Sequence, residues 1–296
     1  MLARDLVRRV RRIEISTRRA VQDALAGSYH SVFRGRGMEV AEIRAYQAGD
    51  DVRAIDWNAT ARLGHPFVKR FVEERELTVL VLCDLSASTA FGSGERAKGE
   101  VAAEIAALVA FSAVANGDRC GLALFTSEVE RYVPPRKGKR HALRLVSEVL
   151  QHRPLHTGTD LAAALEFAAR VQRRRAVVFV LSDFLGAPPS LWEKALRVAA
   201  RRHDVIPVVL SDRSERELPA AGLAWIEDPE TGEVFEADLS SAATRRRLAA
   251  SAQAEAAERS RLFARLSLDA ADLRADAADH VAPLLALFRA RAGRRR

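Results

Sequence analysis

The sequence predicts an α/β fold in which a mainly parallel sheet carries helices on both faces. From residue 77 onward, short apolar runs alternate with segments of helical character. Strands that alternate with helices at this spacing form βαβ units, which place neighbouring strands parallel to each other. The predicted strands are 77–83, 120–126, 176–181 and 205–210, and residues 129–133 are expected to pair beside the second of them. The predicted helices are 95–116, 139–150, 160–173 and 190–202.

Three further regions flank this alternation. Residues 1–26 place apolar side chains at three- and four-residue spacing among arginines, which predicts a basic amphipathic helix that docks on the body or binds a membrane surface or partner. Residues 27–76 mix glycines, short strand-like runs and turns, which predicts a small β-rich subdomain. Beyond the fourth strand, residues 223–226 and 234–235 predict an edge hairpin, and helices are expected at 241–266 and 280–292. The predicted domains are therefore 1–26, 27–76 and 77–296.

The composition restricts the class of protein. With 296 residues, 48% hydrophobic and 29% charged, the chain resembles a globular protein that needs no disulfide to stabilise its core. No apolar run approaches the length of about 20 residues that spans a membrane, and the N-terminus lacks the apolar stretch of a signal peptide. Cys83 and Cys120 lie in strand-like runs, so we expect two reduced core thiols in a cytoplasmic protein.

The net charge of +8 is concentrated at the two ends of the chain. Residues 1–20 carry a net charge of +5 and residues 289–296 another +5, which leaves −2 for the remainder. This distribution favours basic surface tails over a dedicated nucleic-acid groove. Aromatic residues are few and do not alternate with the arginines, which makes base stacking a weak interpretation. Binding of nucleic acid or an anionic membrane by the ends is kept as an alternative.

Polar residues follow the first predicted strand directly. The apolar run 79–83 leads into Asp84, and Ser86 and Ser88 follow at alternate positions. In an open α/β sheet, ligands bind at the carboxyl ends of the strands, near the point where the strand order reverses. One carboxylate and two hydroxyls are hard oxygen ligands of the kind that Mg²⁺ prefers.

Two later segments carry side chains suited to the same site. Thr157, Gly158, Thr159 and Asp160 open a predicted helix, where Thr159 or Asp160 is also a plausible N-cap. Asp183 lies two residues beyond the strand 176–181, at the same edge of the sheet as Asp84. Each segment alone is explained by ordinary turn and cap chemistry. If the strands are neighbours, however, the three loops converge on one place.

These residues resemble the metal-ion-dependent adhesion site of von Willebrand factor A domains, in which DxSxS is followed by a threonine and an aspartate. The stretches RGRGMEVAEIRAYQAGDDVRAIDWNATAR, LPAAG and EDPETGE resemble the bacterial domain-of-unknown-function family 58. The resemblance covers most of residues 28–290 and implies a von Willebrand A-like, Rossmann-type fold. It also implies a set of metal ligands, which comprises Asp84, Ser86, Ser88, Thr159 and Asp183. Thr89 and Thr157 depart from the usual pattern, but neither position is a ligand.

The resemblance implies a binding protein rather than an enzyme. Serine and threonine hydroxyls are neutral, so they leave much of the charge of a divalent ion uncompensated, and a carboxylate of a protein partner fits the remaining coordination position. The expected ion is Mg²⁺, with Mn²⁺ and Ca²⁺ as alternatives. The family resemblance suggests that the partner is a MoxR-type AAA+ ATPase and that the pair acts in chaperoning or maturing a client.

Other chemistries fit the spacing less well. A metal-dependent phosphoester hydrolase would need a second carboxylate two residues after Asp84, where this chain has Ser86, and no tuned general base is nearby. His152 and His156 are four residues apart, but Pro154 disfavours the helix that would align them on zinc, so they are interpreted as surface or capping residues. The segment 92–100 contains Lys98 without phosphate-loop spacing and is interpreted as a loop that enters a helix.

The string from Arg44 to Trp57 permits two interpretations. In the first, Asp50 and Arg53 fix a turn and form a local ion pair. In the second, Arg44, Asp50, Arg53 and Trp57 form a second surface for a partner. The sequence does not decide between them.

Overall fold

The computed structural model describes residues 10–11, 13–14, 39–72, 76–94, 96–229 and 232–294. The described residues fall into two units, of which the smaller lies within residues 33–77 and the larger comprises the rest. The predicted N-terminal helix at 1–26 lies almost entirely outside the described residues, since only residues 10–11 and 13–14 are seen there, in helical conformation. Each unit is treated by itself below.

The smaller unit contains an antiparallel pair of strands joined by helical turns. Its elements are β1 (Glu39–Ala45), a single 3₁₀ turn (Val52–Ala54), α1 (Trp57–Leu63) and β2 (Phe67–Val72). Helix α1 departs from the predicted β-rich character. It forms because the Asp56 carboxylate caps it, accepting from the N–H groups of Asn58 and Ala59 at 3.0 and 3.2 Å, and because Gly64 ends it at a φ of 77°.

The larger unit contains the predicted alternation of strands and helices. Its strands are β3 (Thr78–Asp84), β4 (Arg119–Phe125), β5 (Val129–Arg136), β6 (Val177–Ser182), β7 (Asp204–Ser211), β8 (Leu223–Glu227), β9 (Val234–Asp238) and β10 (Ala271–Arg274). Its helices are α2 (Lys98–Ala115), α3 (Lys139–Gln151), α4 (Leu161–Val171), α5 (Pro189–Arg202), the one-turn α6 (Arg213–Arg216), α7 (Ala242–Arg265) and α8 (Val281–Arg294). Within the described ranges, none of the helices combines the length and apolar character that crossing a membrane requires.

The main sheet has six strands in the order β10-β7-β6-β3-β4-β5. All neighbouring pairs are parallel except β4 and β5, so the predicted mainly parallel α/β fold is confirmed. The chain runs from β3 to β4 and β5 on one side, then returns to β6 on the other side of β3. The strand order therefore reverses between β3 and β6, which is where such sheets bind ligands.

Two strands differ from the prediction. The hairpin of β8 and β9 forms a separate two-stranded sheet instead of joining the edge of the main one. The edge beside β7 is taken by β10, which the sequence analysis did not predict. With four residues, of which only Ala271 and Leu273 are buried, β10 is too short to give a clear periodic pattern.

Helices cover both faces of the main sheet. Leu80 and Leu82 of β3 pack in a cluster with residues of α4, α5 and α7, including Trp192 and Phe263. Phe179 of β6 points to the opposite face of the sheet from Val178 and Val180 of that cluster, because successive side chains of a strand alternate. The centroid of its ring lies 6.2 Å from the ring centroid of Phe288 in α8. Helix α2 is apolar on nearly all sides and is buried along most of its length.

Both cysteines are free and buried, as predicted. Burial raises the pKa of the Cys83 thiol, and it raises that of Cys120 to about 12. The two side chains therefore act as small apolar core residues with little thiolate character.

Candidate metal centre

Asp84 lies at the boundary where the strand order reverses. It is the last residue of β3, and its side chain is fully buried. Its Oδ1 accepts a hydrogen bond from the Ser86 N–H at 2.9 Å, and its Oδ2 accepts one from the Ser182 hydroxyl at 2.6 Å. Ser182 ends the neighbouring strand β6, so the two strands that the sequence analysis assigned to one edge are indeed adjacent.

The two serines after Asp84 present their hydroxyls together. The Oγ atoms of Ser86 and Ser88 are 3.1 Å apart, and both side chains are buried. The loop is held in place by the Thr89 hydroxyl, which donates to the Ser86 carbonyl at 2.7 Å, and by the Leu85 N–H, which donates to Phe125 O at 2.9 Å. Two hydroxyl oxygens this close to each other are placed to share one cation.

The threonine loop lies against the serine loop. The Ala87 N–H donates to the carbonyl of Thr157 at 2.8 Å, which brings residues 157–159 next to residues 86–88. Asp160 caps α4 through a hydrogen bond from the Ala163 N–H at 2.8 Å, so the N-cap is Asp160 and not Thr159. Thr159 is half-buried on the same loop as Thr157.

Asp183 follows β6 directly and is 2% exposed. Its Oδ1 accepts from the Leu185 N–H at 3.0 Å, and its Oδ2 accepts from the Lys98 ammonium at 2.6 Å. The next residue, Phe184, has a φ of 57°, which is unfavourable for a bulky side chain. The Ser182 hydroxyl accepts from the Phe184 N–H at 2.9 Å, so one serine orders both Asp84 and the turn that carries Asp183.

Lys98 is a residue of this site that the sequence analysis missed. It begins α2, is 1% exposed, and pairs with Asp183 at 2.6 Å and with Glu215 of α6 at 2.5 Å. Burial lowers the pKa of Lys98, but the negative charges of Asp183 and Glu215 outweigh it, so the pKa is raised and the ammonium stays charged. The sequence feature that could have identified this residue is a lysine at the start of a mostly apolar helix.

The electrostatics of the site favour a cation. Burial, followed by the negative charge of Asp183, raises the pKa of Asp84 to about 7, although hydrogen bonds from Ser182 and Ser86 act in the opposite direction. The charge of Lys98 is already shared between Asp183 and Glu215. The ionised form of Asp84 is therefore a buried charge that has hydrogen-bond donors but, among the described residues, no cationic partner.

The donor set fits a hard divalent ion. No cluster of three or more histidine, cysteine, aspartate or glutamate side chains suited to a metal occurs in the part of the chain that the structure describes. The candidate site draws instead on two hydroxyls 3.1 Å apart and on buried carboxylates from neighbouring strands. Asp84, Ser86 and Ser88 would hold the ion, Thr159 lies on the adjoining loop, and Asp183 would share its carboxylate between the ion and Lys98.

The proposed second surface belongs to the smaller unit. Asp50 accepts two hydrogen bonds from the Arg44 guanidinium at 2.9 and 2.7 Å, and this contact lowers the pKa of Asp50. The local ion pair of the first interpretation does form, but the partner of Asp50 is Arg44 and not Arg53, and Asp50 also accepts a hydrogen bond from the Gln47 N–H. Trp57 is 70% exposed.

His152 and His156 converge on a carboxylate rather than on a metal. His152 ends α3 as its C-cap, and its Nε2 lies 2.7 Å from Glu130. His156 is exposed, and its Nδ1 lies 3.3 Å from the same carboxylate. The capping interpretation of His152 is confirmed, and Glu130 organises the loop that leads toward Thr157.

One arginine of the arginine-rich C-terminus is part of the folded body. Residues up to Arg294 belong to helix α8, and Arg291 is 5% exposed. Its guanidinium pairs with Asp204 at 2.5 Å and with Asp269 at 3.5 Å. At least one of the five C-terminal arginines therefore stabilises the fold and is unavailable to an anionic surface.

The larger unit defines a class of protein: a mainly parallel α/β fold with a hydroxyl-rich candidate cation site where the strand order reverses. The chain belongs to the family described as "Protein of unknown function DUF58", whose model matches residues 42–258. This is the family that the sequence analysis recognised.

Relatives of this chain occur in bacteria. "Uncharacterized protein Rv1480" from Mycobacterium tuberculosis is 35% identical over 230 residues, which cover 77% of this chain and 72% of the relative. "Uncharacterized protein YeaD" from Bacillus subtilis is 26% identical over 206 residues, which cover 70% of this chain and 48% of the relative.

Solved structures similar to this chain include BatB from Bacteroides thetaiotaomicron, at 16% identity and a TM-score of 0.41. That match covers 64% of this chain and 98% of BatB. A von Willebrand factor type A protein from Catenulispora acidiphila is also similar, at 12% identity and a TM-score of 0.39, with 75% of this chain and 43% of that one covered.

Proposed function

We propose that this protein is a non-enzymatic, Mg²⁺-dependent adaptor that binds a protein partner through the candidate metal centre. The observation that carries the proposal is the pair of buried hydroxyls of Ser86 and Ser88, 3.1 Å apart, on the loop that follows Asp84. When bound, Mg²⁺ supplies a coordination position for a carboxylate of the partner. Mn²⁺ and Ca²⁺ are the alternative ions.

The charge balance of the site supports binding of an ion together with an anion. Asp84 and Asp183 contribute two negative charges, and Lys98 contributes one positive charge that it shares with Glu215. The hydroxyl donors are neutral, so a divalent ion held by this set keeps part of its charge and attracts a further carboxylate. A partner with an acidic residue on a protruding loop has the complementary chemistry.

The same arrangement argues against turnover of a phosphoester. Hydrolysis through Asp84 would need a neighbouring group that can take up and release a proton. Two residues after Asp84 stands Ser86, which cannot fill that role, and the Asp183 carboxylate is bound to the Lys98 ammonium at 2.6 Å. A binding role therefore explains the site with fewer assumptions than catalysis.

The partner that we propose is a MoxR-type AAA+ ATPase, as the family resemblance suggests, and the pair would act in chaperoning or maturing a client. The cellular location that we propose is the cytoplasm, where the free thiols of Cys83 and Cys120 would stay reduced. The smaller unit, with Arg44, Asp50, Arg53 and Trp57, would provide a second partner surface.

Co-purification tests this proposal directly. The tagged full-length chain would be mixed with a MoxR-type ATPase from the same genome, in Mg²⁺ or in EDTA. We expect capture in Mg²⁺, loss of capture in EDTA, and loss with Asp84→Asn. The control Glu128→Gln alters an exposed carboxylate that is 66% accessible, and it should retain capture. Equal capture in Mg²⁺ and in EDTA would overturn the proposal.

A further inference from the structure

A cavity of about 480 Å³ opens beside the candidate metal centre. Ser88, Lys98 and Asp183 are among its lining residues, and the end of β7, α6, the hairpin and α7 form most of the other walls. The walls are mostly apolar and include Val209, Leu218, Ile226, Phe235 and Leu248. A volume of this size lies within the range of about 300–1,000 Å³ that is typical of sites for small molecules.

A buried arginine lines this cavity without a full set of partners. Arg259 of α7 is 6% exposed, and its Nη1 donates to the backbone carbonyl of Asp183 at 3.2 Å. Its Nε is buried and has no hydrogen-bond partner. Within the described residues Arg259 forms no ion pair, and the nearby carboxylates of Asp183 and Glu215 are bound to Lys98.

A guanidinium in this state favours the binding of an anion. A buried cation with an unpaired donor is costly, and an arginine edge matches a carboxylate through two parallel hydrogen bonds. The apolar walls would at the same time take up a hydrocarbon body. We propose that this cavity binds a small organic monocarboxylate, with the carboxylate on Arg259 and an apolar body along α7 and the hairpin.

The charges around the cavity favour a ligand that carries a single negative charge. Glu227 and Glu255 also line it, and both are exposed, so they lie on the solvent side. They would repel a nucleotide or another polyanion more strongly than a monocarboxylate. The proposed site uses neither Asp84 nor the serine hydroxyls, so ligand binding should not require a divalent ion.

Calorimetric titration of the full-length chain with decanoate, in EDTA, tests this inference. We expect saturable binding of one decanoate, with decanol at least about tenfold weaker because it lacks the charge. Arg259→Met should weaken decanoate at least about tenfold and leave decanol unchanged. Arg261→Met, an exposed arginine on the same helix, is the matched control and should bind decanoate like the wild type.

Equal affinity for decanoate and decanol, or undiminished decanoate binding by Arg259→Met, would overturn the inference. If Arg259→Met fails to fold, Ala252→Trp places a large side chain on the cavity wall with Arg259 retained, and it should abolish decanoate binding. Continued binding by that variant would also overturn the inference. Asp84→Asn should still bind decanoate, so the cavity and the metal centre can fail separately.

Discussion

Two buried carboxylates at the same end of the sheet, Glu130 and Asp84, are treated in opposite ways by the fold. The Glu130 side chain has no exposed area, and it accepts from the Thr126 hydroxyl at 2.6 Å and from His152 at 2.7 Å. The N–H groups of Leu155 and His156 complete its shell at 3.0 and 3.1 Å. Burial raises the pKa of Glu130, but these hydrogen bonds outweigh it and lower the pKa to about 2.

Asp84 accepts fewer hydrogen bonds than Glu130, and the negative charge of Asp183 nearby disfavours its ionisation. It accepts from the Ser86 N–H and the Ser182 hydroxyl, while burial and the charge of Asp183 raise its pKa to about 7. Hydrogen-bond donors of the protein therefore compensate the charge of Glu130, whereas they do not compensate that of Asp84. This contrast separates a carboxylate that holds a loop together from one that is arranged for an external cation.

Removal of the Lys98 charge should have the largest effect on stability. Lys98→Met leaves Asp183 and Glu215 without their shared cation, and breaking a buried pair on one side costs about 3–5 kcal/mol. Urea denaturation in EDTA measures this loss. Lys194→Met, an exposed lysine on α5, is the control and should change the free energy of unfolding by less than about 0.5 kcal/mol. Equal losses in the two variants would show that the buried pair is not needed for stability.

Neutralisation of Glu130 should also destabilise the fold. Glu130→Gln turns a carboxylate that only accepts hydrogen bonds into an amide that also carries donors, which should lower the free energy of unfolding by about 2–3 kcal/mol. The same urea titration measures the change. Glu128→Gln, two residues away and exposed, should differ from the wild type by less than about 0.5 kcal/mol.

Neutralisation of Asp84 should change the free energy of unfolding in the opposite direction when divalent ions are absent. Asp84→Asn removes a buried charge whose ionisation the site disfavours, so we expect no loss of stability at neutral pH and a gain of up to about 1 kcal/mol. Urea denaturation in EDTA at pH 7.5 measures it. A loss as large as that of Glu130→Gln would remove the distinction between the two carboxylates.

Glu130 should also make the stability of the fold sensitive to acid. The pKa of Glu130 is lowered from 4.5 to about 2, so its contribution to stability is fully present above about pH 4.5 and is lost as the pH falls toward 2. Between pH 5 and pH 3 the wild type should therefore lose more stability than Glu130→Gln. Parallel curves of unfolding free energy against pH for the two proteins would contradict this assignment.

The sequence predicted the parts of this molecule that depend on local pattern. Apolar runs identified β3, β4, β6 and β7 within a residue or two, and the polar residues at their carboxyl ends identified the edge where Asp84 and Asp183 meet. A cap at Thr159 or Asp160 and the free thiols were also predictable, because each depends on neighbouring residues or on burial within one strand; the structure shows that the cap is Asp160.

The remaining features depend on contacts between distant segments. Lys98 and Glu215 are separated by 117 positions, and no spacing rule relates them before the fold brings the two side chains into contact. The same holds for Arg259, whose partner is the backbone of Asp183, 76 positions earlier. Strand β10 was missed because four residues carry too little pattern, and its place is set by β7 beside it.

Titration with Mg²⁺ of the wild type and of Asp84→Asn, followed by thermal unfolding, tests the central claim most directly. A ligand that binds only the folded state stabilises it by about 2.7 kcal/mol at one hundred times its dissociation constant. We predict that the wild type gains stability in a saturable way and that Asp84→Asn and the double variant Ser86→Ala, Ser88→Ala do not. The same response to Mg²⁺ in all three proteins, or no response in the wild type, would contradict the account.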